Sequence, residues 1–128
     1  MTPRLTAVTT LFETVGGMPT FVALVDRFYD HVERNHGLRA LYPEDLTTSR
    51  SALALFLAQY FGGPTTYSDE KGHPRLRMRH AHLSIGERER DGWYEAMAAA
   101  VRELDFDDDI EGAMLEYFDR SATWMINA

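Results

Sequence analysis

Leu53-Ala54-Leu55-Phe56-Leu57-Ala58-Gln59-Tyr60-Phe61-Gly62-Gly63-Pro64 is the stretch on which the fold class turns. Leu53, Phe56, Leu57 and Tyr60 recur at the spacing of one helical face, and the Gly-Gly-Pro triplet then stops the helix. Thr47, Thr48 or Ser49 is the expected cap at its start. N-terminal to it, Phe21, Leu24, Val25, Phe28 and Val32 form a second apolar stripe of helical period. Gly16-Gly17 and Pro19 separate that helix from a shorter one expected over Leu5–Val15. Between the two stripes, Leu38–Asp45 holds Leu41, Tyr42 and Pro43, the signature of a tight corner or a single helical turn.

Past the Gly-Gly-Pro stop, residues 63–73 read as an irregular connection, longer than the commonest links between helices and therefore a place to expect function or ligand-induced order. A short helix over Pro74–His82 would open on its proline. Glu87–Leu104 and Asp109–Ile126 follow as longer helices, separated by the acidic Asp105–Asp109 turn. No segment has the period of a strand. The whole is an all-α chain, expected to form one domain over residues 1–128, with loops too uneven for an up-and-down bundle and better suited to a globin-like packing.

Composition narrows the chemistry. The 128 residues are 45% hydrophobic and 26% charged, an ordinary globular balance. The absence of cysteine excludes disulfides, thiolate catalysis, iron–sulfur clusters and thioether haem attachment. Met1–Ala7 has no apolar core of a secretory signal and no apolar run approaches a membrane span, so a cytoplasmic protein is expected. A formal charge of −7 argues against general affinity for nucleic acid or anionic membranes. The base that is present is concentrated: Lys71, Arg75, Arg77 and Arg79 fall within nine residues, in a chain with 13 Lys and Arg in all, which suggests a local anion site for a carboxylate or phosphate.

His73-Pro74-Arg75-Leu76-Arg77-Met78-Arg79-His80-Ala81 is where that base meets an imidazole. On a helix, Leu76, His80 and Leu83 share one face and Arg75 and Arg79 another. A haem would use such an arrangement, with a neutral imidazole nitrogen for the iron and arginines for the propionates. On pattern alone, however, one histidine on an apolar face is most often a hydrogen-bonded core residue, and an arginine run is most often a solvated face.

The weight comes from a resemblance. Phe28-Tyr29, Leu41-Tyr42-Pro43-Glu44-Asp45, Phe56-Leu57-x-Gln59-Tyr60-Phe61-Gly62-Gly63-Pro64, Tyr67-Ser68, Gly72-His73-Pro74-x-Leu76-x-Met78-Arg79-His80 and Asp91-x-Trp93 closely resemble the group II truncated haemoglobins, in order and over nearly the whole chain. The resemblance implies the truncated globin fold, a two-over-two helical sandwich around non-covalently held haem b (protohaem IX). It implies that His80 ligates the iron and that Tyr29, Tyr42 and Trp93 line the opposite face, as the residues acting on the bound ligand. Two phenols and an indole are donors suited to a diatomic ligand that carries partial negative charge in a mostly apolar cavity. Ser49 stands where many haemoglobins have a larger gate residue, which suggests an open or weakly polar access there. Leu53 and Phe56 would wall the pocket, and Tyr67, His73, Met78 and Arg79 match positions at the haem rim or propionates.

Two departures stand out. Ala81-His82-Leu83 replaces a proline and a larger aromatic common in relatives, which makes His82 a weak rival ligand, and Phe61 stands where many have tryptophan. The functional expectation is binding of dioxygen and related diatomics at ferrous iron, with slow release and redox chemistry such as nitric oxide dioxygenation or a peroxidase-like reduction of peroxide, fed by a reductase not identified from sequence. Reversible oxygen storage or delivery is the alternative on the same fold. A haem-free docking module using the basic cluster at 71–79 is the alternative from another class. Exposed helices leave a homodimer open.

Overall fold

The computed structural model describes residues 9–128, and among them the only regular structure is helical. The helices are α1 (Leu11–Thr14), α2 (Met18–Arg34), α3 (His36–Arg39), α4 (Thr47–Tyr60), α5 (Thr66–Lys71), α6 (Leu76–Arg79), α7 (Glu87–Glu103) and α8 (Asp108–Trp124). α2 packs against both α4 and α7, and α7 against α8, so the long helices form two layers, α2 with α4 and α7 with α8. That is the two-over-two sandwich of the truncated globins.

The stripe on α2 becomes the centre of the core. Phe21, Leu24, Val25, Phe28 and Val32 are fully or almost fully buried, against Met97, Ala100 and Val101 of α7 and Met114 and Phe118 of α8. Side chains of this size each contribute roughly 1.5–3 kcal/mol on burial. α1 closes the top of α2: the Phe12 N–H donates to the Phe61 carbonyl at 2.9 Å, and Phe12 stacks on Phe21, which stacks on Phe61. The Leu5–Val8 part of the first expected helix lies outside the described residues.

Gly62 is what lets α1 approach the end of α4. Its φ is +102°, and a Cβ there would lie 2.6 Å from the Thr10 side chain. Conformation and space both require glycine.

Four local expectations are corrected. The α4 start is held by Asp45, whose Oδ1 accepts the Thr47 N–H at 2.9 Å, and not by the hydroxyls of Thr47, Thr48 or Ser49, which already lie inside the helix. The 63–73 connection contains α5, ordered by a tertiary clamp: Gln59 Oε1 accepts the Ser68 N–H at 3.0 Å while Gln59 Nε2 donates to Ser68 Oγ at 2.8 Å. Pro74 does not open α6, because Arg75 is left-handed (φ 46°) and the helix starts after it. Tyr60, placed by period on the apolar stripe of α4, is 47% exposed, with its ring lying outward against Tyr117 of α8.

The candidate haem cavity

A cavity of about 310 Å³ opens between α4, α7, α8 and the segment that carries α6. It lies within the range of small-molecule and cofactor pockets, and its walls are mostly apolar, among them Leu38, Leu53, Phe56, Leu57, Ile85 and Phe118. Tyr29, Tyr42, Ser49, Leu53, Phe56, Tyr67, Arg79, His80 and Trp93 all border it, although they come from six separate places in the chain. Met78 and His73 do not. Met78 is 65% exposed, and His73 is turned onto its own backbone, its Nδ1 accepting the Arg75 N–H at 3.1 Å.

His80 caps the C-terminal end of α6, half-buried at the cavity wall. Its Nδ1–H donates to the Leu76 carbonyl at 2.6 Å, one helical turn back. This bond assigns the proton to Nδ1, fixes the ring's orientation and leaves the lone pair of Nε2 free. His82, the rival, also reaches the cavity edge but is exposed and makes no hydrogen bond that would orient its ring among the described contacts.

The segment carrying His80 is itself tied down from the chain's far end. Arg77 donates to the Trp124 and Ile126 carbonyls at 3.2 and 3.3 Å, and its guanidinium lies over the Trp124 ring. Asn127 accepts the Ile85 N–H at 2.8 Å and donates to the Leu83 carbonyl at 2.9 Å. Arg79 donates to the Pro74 and Lys71 carbonyls at 2.7 and 2.9 Å and stands over the Tyr67 ring. Two of the three arginines in the basic cluster are therefore held in place by backbone carbonyls of the loop and the last residues of α8 and beyond, with their charge uncompensated by a carboxylate among the described contacts.

The polar donors cluster on the other elements. Tyr29 of α2 and Tyr42 of the α3–α4 corner meet edge to face, with centroids 5.5 Å apart. Burial pushes the Tyr29 phenol up to about 12; the Arg50 charge, 5.2 Å from its ring centroid, and hydrogen bonding to Ser49 pull weakly the other way. Burial raises Tyr42 further, reinforced by Tyr29 and partly offset by hydrogen bonding from the Trp93 indole. Trp93 is fixed in α7 by contacts with Phe28 and Phe118, at centroid distances of 5.5 and 5.9 Å. Both phenols thus remain protonated donors across the physiological range.

Sequence reasoning missed Glu89 and Arg90, which also border the cavity. Both lie one helical turn before Trp93, so the i−4 and i−3 positions on α7 carried the signal. Glu89 accepts the Gly86 N–H at 2.8 Å and so caps α7, and Arg90 pairs with Asp119 and Asp91 at the rim. Tyr117 and Ser121 of α8 were missed as well. Among the described residues no group of three or more His, Asp or Glu side chains could hold a bare metal ion, and no helix is long and apolar enough to cross a membrane.

The donor set fits a haem: an oriented imidazole with a free nitrogen, apolar walls for a macrocycle, and guanidinium groups at the mouth. Comparison with known proteins agrees. The family model for bacterial-like globins matches residues 10–127. The chain is 35% identical over 104 residues to the group 2 truncated hemoglobin YjbI of Bacillus subtilis, a match spanning 81% of this chain and 79% of that one. Among solved structures it resembles the hemoglobin of Chloroflexus aurantiacus, with a TM-score of 0.92 and 48% identity over 94% of this chain and 100% of that one. It resembles the group II truncated hemoglobin of Bacillus anthracis with a TM-score of 0.90 and 34% identity, over 94% and 98% of the two chains. The chain belongs to the bacterial-like globins, as a group II truncated haemoglobin, a family that holds haem b with its iron and binds diatomic ligands such as oxygen.

Proposed function

We propose that this protein retains its diatomic ligand and uses it in redox chemistry, nitric oxide dioxygenation or peroxide reduction, rather than delivering oxygen. The observation that carries this reading is the convergence of two phenols and an indole, Tyr29, Tyr42 and Trp93, on a mostly apolar cavity. Haem b, when bound, supplies an iron centre that takes dioxygen and nitric oxide in its ferrous form and exchanges single electrons. His80 would hold that centre through Nε2, with Nδ1–H on Leu76 maintaining the tautomer. Tyr29 and Tyr42 would direct O–H groups at the ligand, Trp93, whose N–H donates to Tyr42, would orient that phenol and stand beside it, and Leu53 and Phe56 would exclude water. Arg79 and Tyr67 would be the partners for the propionates, and Ser49 would leave the access beside α4 unobstructed.

Two or three buried donors, each contributing roughly 1–1.5 kcal/mol to the held ligand, slow release by about 30-fold to over 1000-fold relative to an apolar pocket. Such retention suits chemistry and impairs delivery. Turnover then requires electrons from a reductase. Stopped-flow measurement of dioxygen dissociation from the haem-loaded protein tests the reading. Slow release in the wild type, accelerated about 5- to 12-fold by Tyr42→Phe or by Trp93→Phe, is expected for one donor lost. Release as fast as that of an oxygen carrier, unchanged in both variants, overturns it. Mixing the oxygenated protein with nitric oxide should yield stoichiometric nitrate, and failure to do so removes the dioxygenase branch.

A further inference from the structure

From Lys71 to Gly86 the chain carries Lys71, Arg75, Arg77, Arg79 and three histidines, and no Asp or Glu. All 20 Asp and Glu lie outside that stretch, against nine of the 13 Lys and Arg. Lys71, Arg75, Arg77 and Arg79 are exposed, and none of the four forms an ion pair among the described residues. Arg27, Arg39, Arg50, Arg90 and Arg120, by contrast, each pair with a carboxylate. Asp69, just ahead of Lys71, is engaged by the Thr65 hydroxyl.

The fold gathers this charge with apolar surface. Arg79 reaches back to the Lys71 carbonyl and Arg77 across to that of Trp124, so the ends of α5 and α8 share one face with α6. Met78 is 65% and Trp124 67% exposed, two of the four large hydrophobic residues that are exposed among the described ones. The Arg77 guanidinium lies 5.6 Å from the Trp124 ring centroid, which interleaves cation and apolar surface as an interface does. The inner side of α6 is the cavity wall, bordered by Leu76, Arg79 and His80. A helix with its side chains is roughly 10–12 Å across. A redox centre seated on the outer face is thus separated from the cavity by that single element.

We propose that Lys71, Arg75, Arg77, Met78 and Trp124 form the docking face for an acidic single-electron carrier protein. The proposal rests on the redox function proposed above and names the class of partner its turnover requires. Because the rest of the chain is strongly acidic, the field that draws such a carrier to this face also repels it elsewhere and so orients it. The cations meet its carboxylates, while Met78 and Trp124 supply the contact from which water is expelled. One electron leaves the reduced centre of the carrier and converts ferric haem to ferrous. No bond forms or breaks, and the oxidised carrier departs.

The test uses the haem-loaded protein, with reduced plant-type [2Fe–2S] ferredoxin as an acidic probe. A water-soluble carbodiimide joins amines to carboxylates, and Lys71 is the chain's only lysine, so the N-terminal amine is the one competitor. Peptide mass spectrometry should place the ferredoxin cross-link on Lys71, in a yield that collapses at high salt. Stopped-flow reduction of the ferric haem by ferredoxin should slow about tenfold from low to high salt, and several-fold in the double variant Lys71→Gln/Arg75→Asn. Asparagine suits position 75, where φ is 46°. The Soret spectrum of that variant and its reduction by dithionite should match wild type. A cross-link confined to the N-terminal amine, or ferredoxin reduction unchanged in the double variant, overturns the docking face. Single-turnover nitrate formation and peroxide consumption need no carrier protein, so a wild type that shows neither overturns the redox function independently.

Discussion

The Nδ1 of His80 lies 2.6 Å from the carbonyl oxygen of Leu76, so the backbone of α6 dictates which imidazole nitrogen faces the cavity. His80→Gly removes that nitrogen without introducing a new side chain. The variant should lose its haem on gel filtration, or keep it only when free imidazole is added. Visible spectra of the ferric, ferrous and carbon monoxide forms check this, since a wild type with no Soret band after reconstitution would contradict the cavity's assignment.

The tie from the chain's end should matter for the same residue. Asn127→Ala deletes hydrogen bonds to Ile85 and Leu83, within five residues of His80. At roughly 1 kcal/mol per bond and partial exposure, a loss of about 1–2 kcal/mol is expected, several degrees in Tm. Haem transfer to a scavenging apoglobin should be faster than from wild type. Equal transfer rates would mean that α6 holds the imidazole unaided.

Stability should decline in alkali through the buried phenols. Tyr29 ionises near 10 in the unfolded chain and near 12 in the folded one. Between those values the unfolded state has released the proton and the folded state has kept it, so unfolding is favoured as pH rises. The contribution of the buried phenol is fully present below pH 10 and lost through pH 12. Urea melts at pH 8, 10 and 11 should show the decline, and Tyr29→Phe should lessen it.

Gly62→Ala should be costly out of proportion to one methyl group. The φ of +102° disfavours any Cβ, and that Cβ would lie 2.6 Å from Thr10. About 2 kcal/mol or more is expected. Thermal unfolding measures it, and the double variant Gly62→Ala/Thr10→Gly should recover the steric part alone.

The fold was legible because two stripes carry it. Phe21 to Val32 and Leu53 to Leu57 are each a repeating pattern within one helix, and a pattern of that kind needs no partner to be recognised. The shortest elements were less so. α5 persists through Gln59, nine residues before Ser68, and the left-handed Arg75 displaces the start of α6 past the proline. Site residues in the motif stretches were nameable from resemblance, yet His73 and Met78 do not reach the cavity. Leu76, Arg79 and His80 do, because the four-residue α6 presents only one side to the interior, while His73 precedes that helix and is turned onto its own backbone.

The sequence by itself determined the helical class, the core face of α2, the stop after α4, the lack of any thioether haem anchor, and the imidazole, phenols and indole that line the cavity. Those are properties of composition, period and residue chemistry, each contained within a few turns of chain. Only the tertiary structure decided that Arg77 and Asn127 clamp the His80 segment, that Glu89 and Arg90 reach the cavity, and that Tyr60 faces outward against Tyr117. Those pairings join residues 42 to 57 positions apart, or depend on which side of a helix its neighbours leave uncovered, and packing geometry alone settles them.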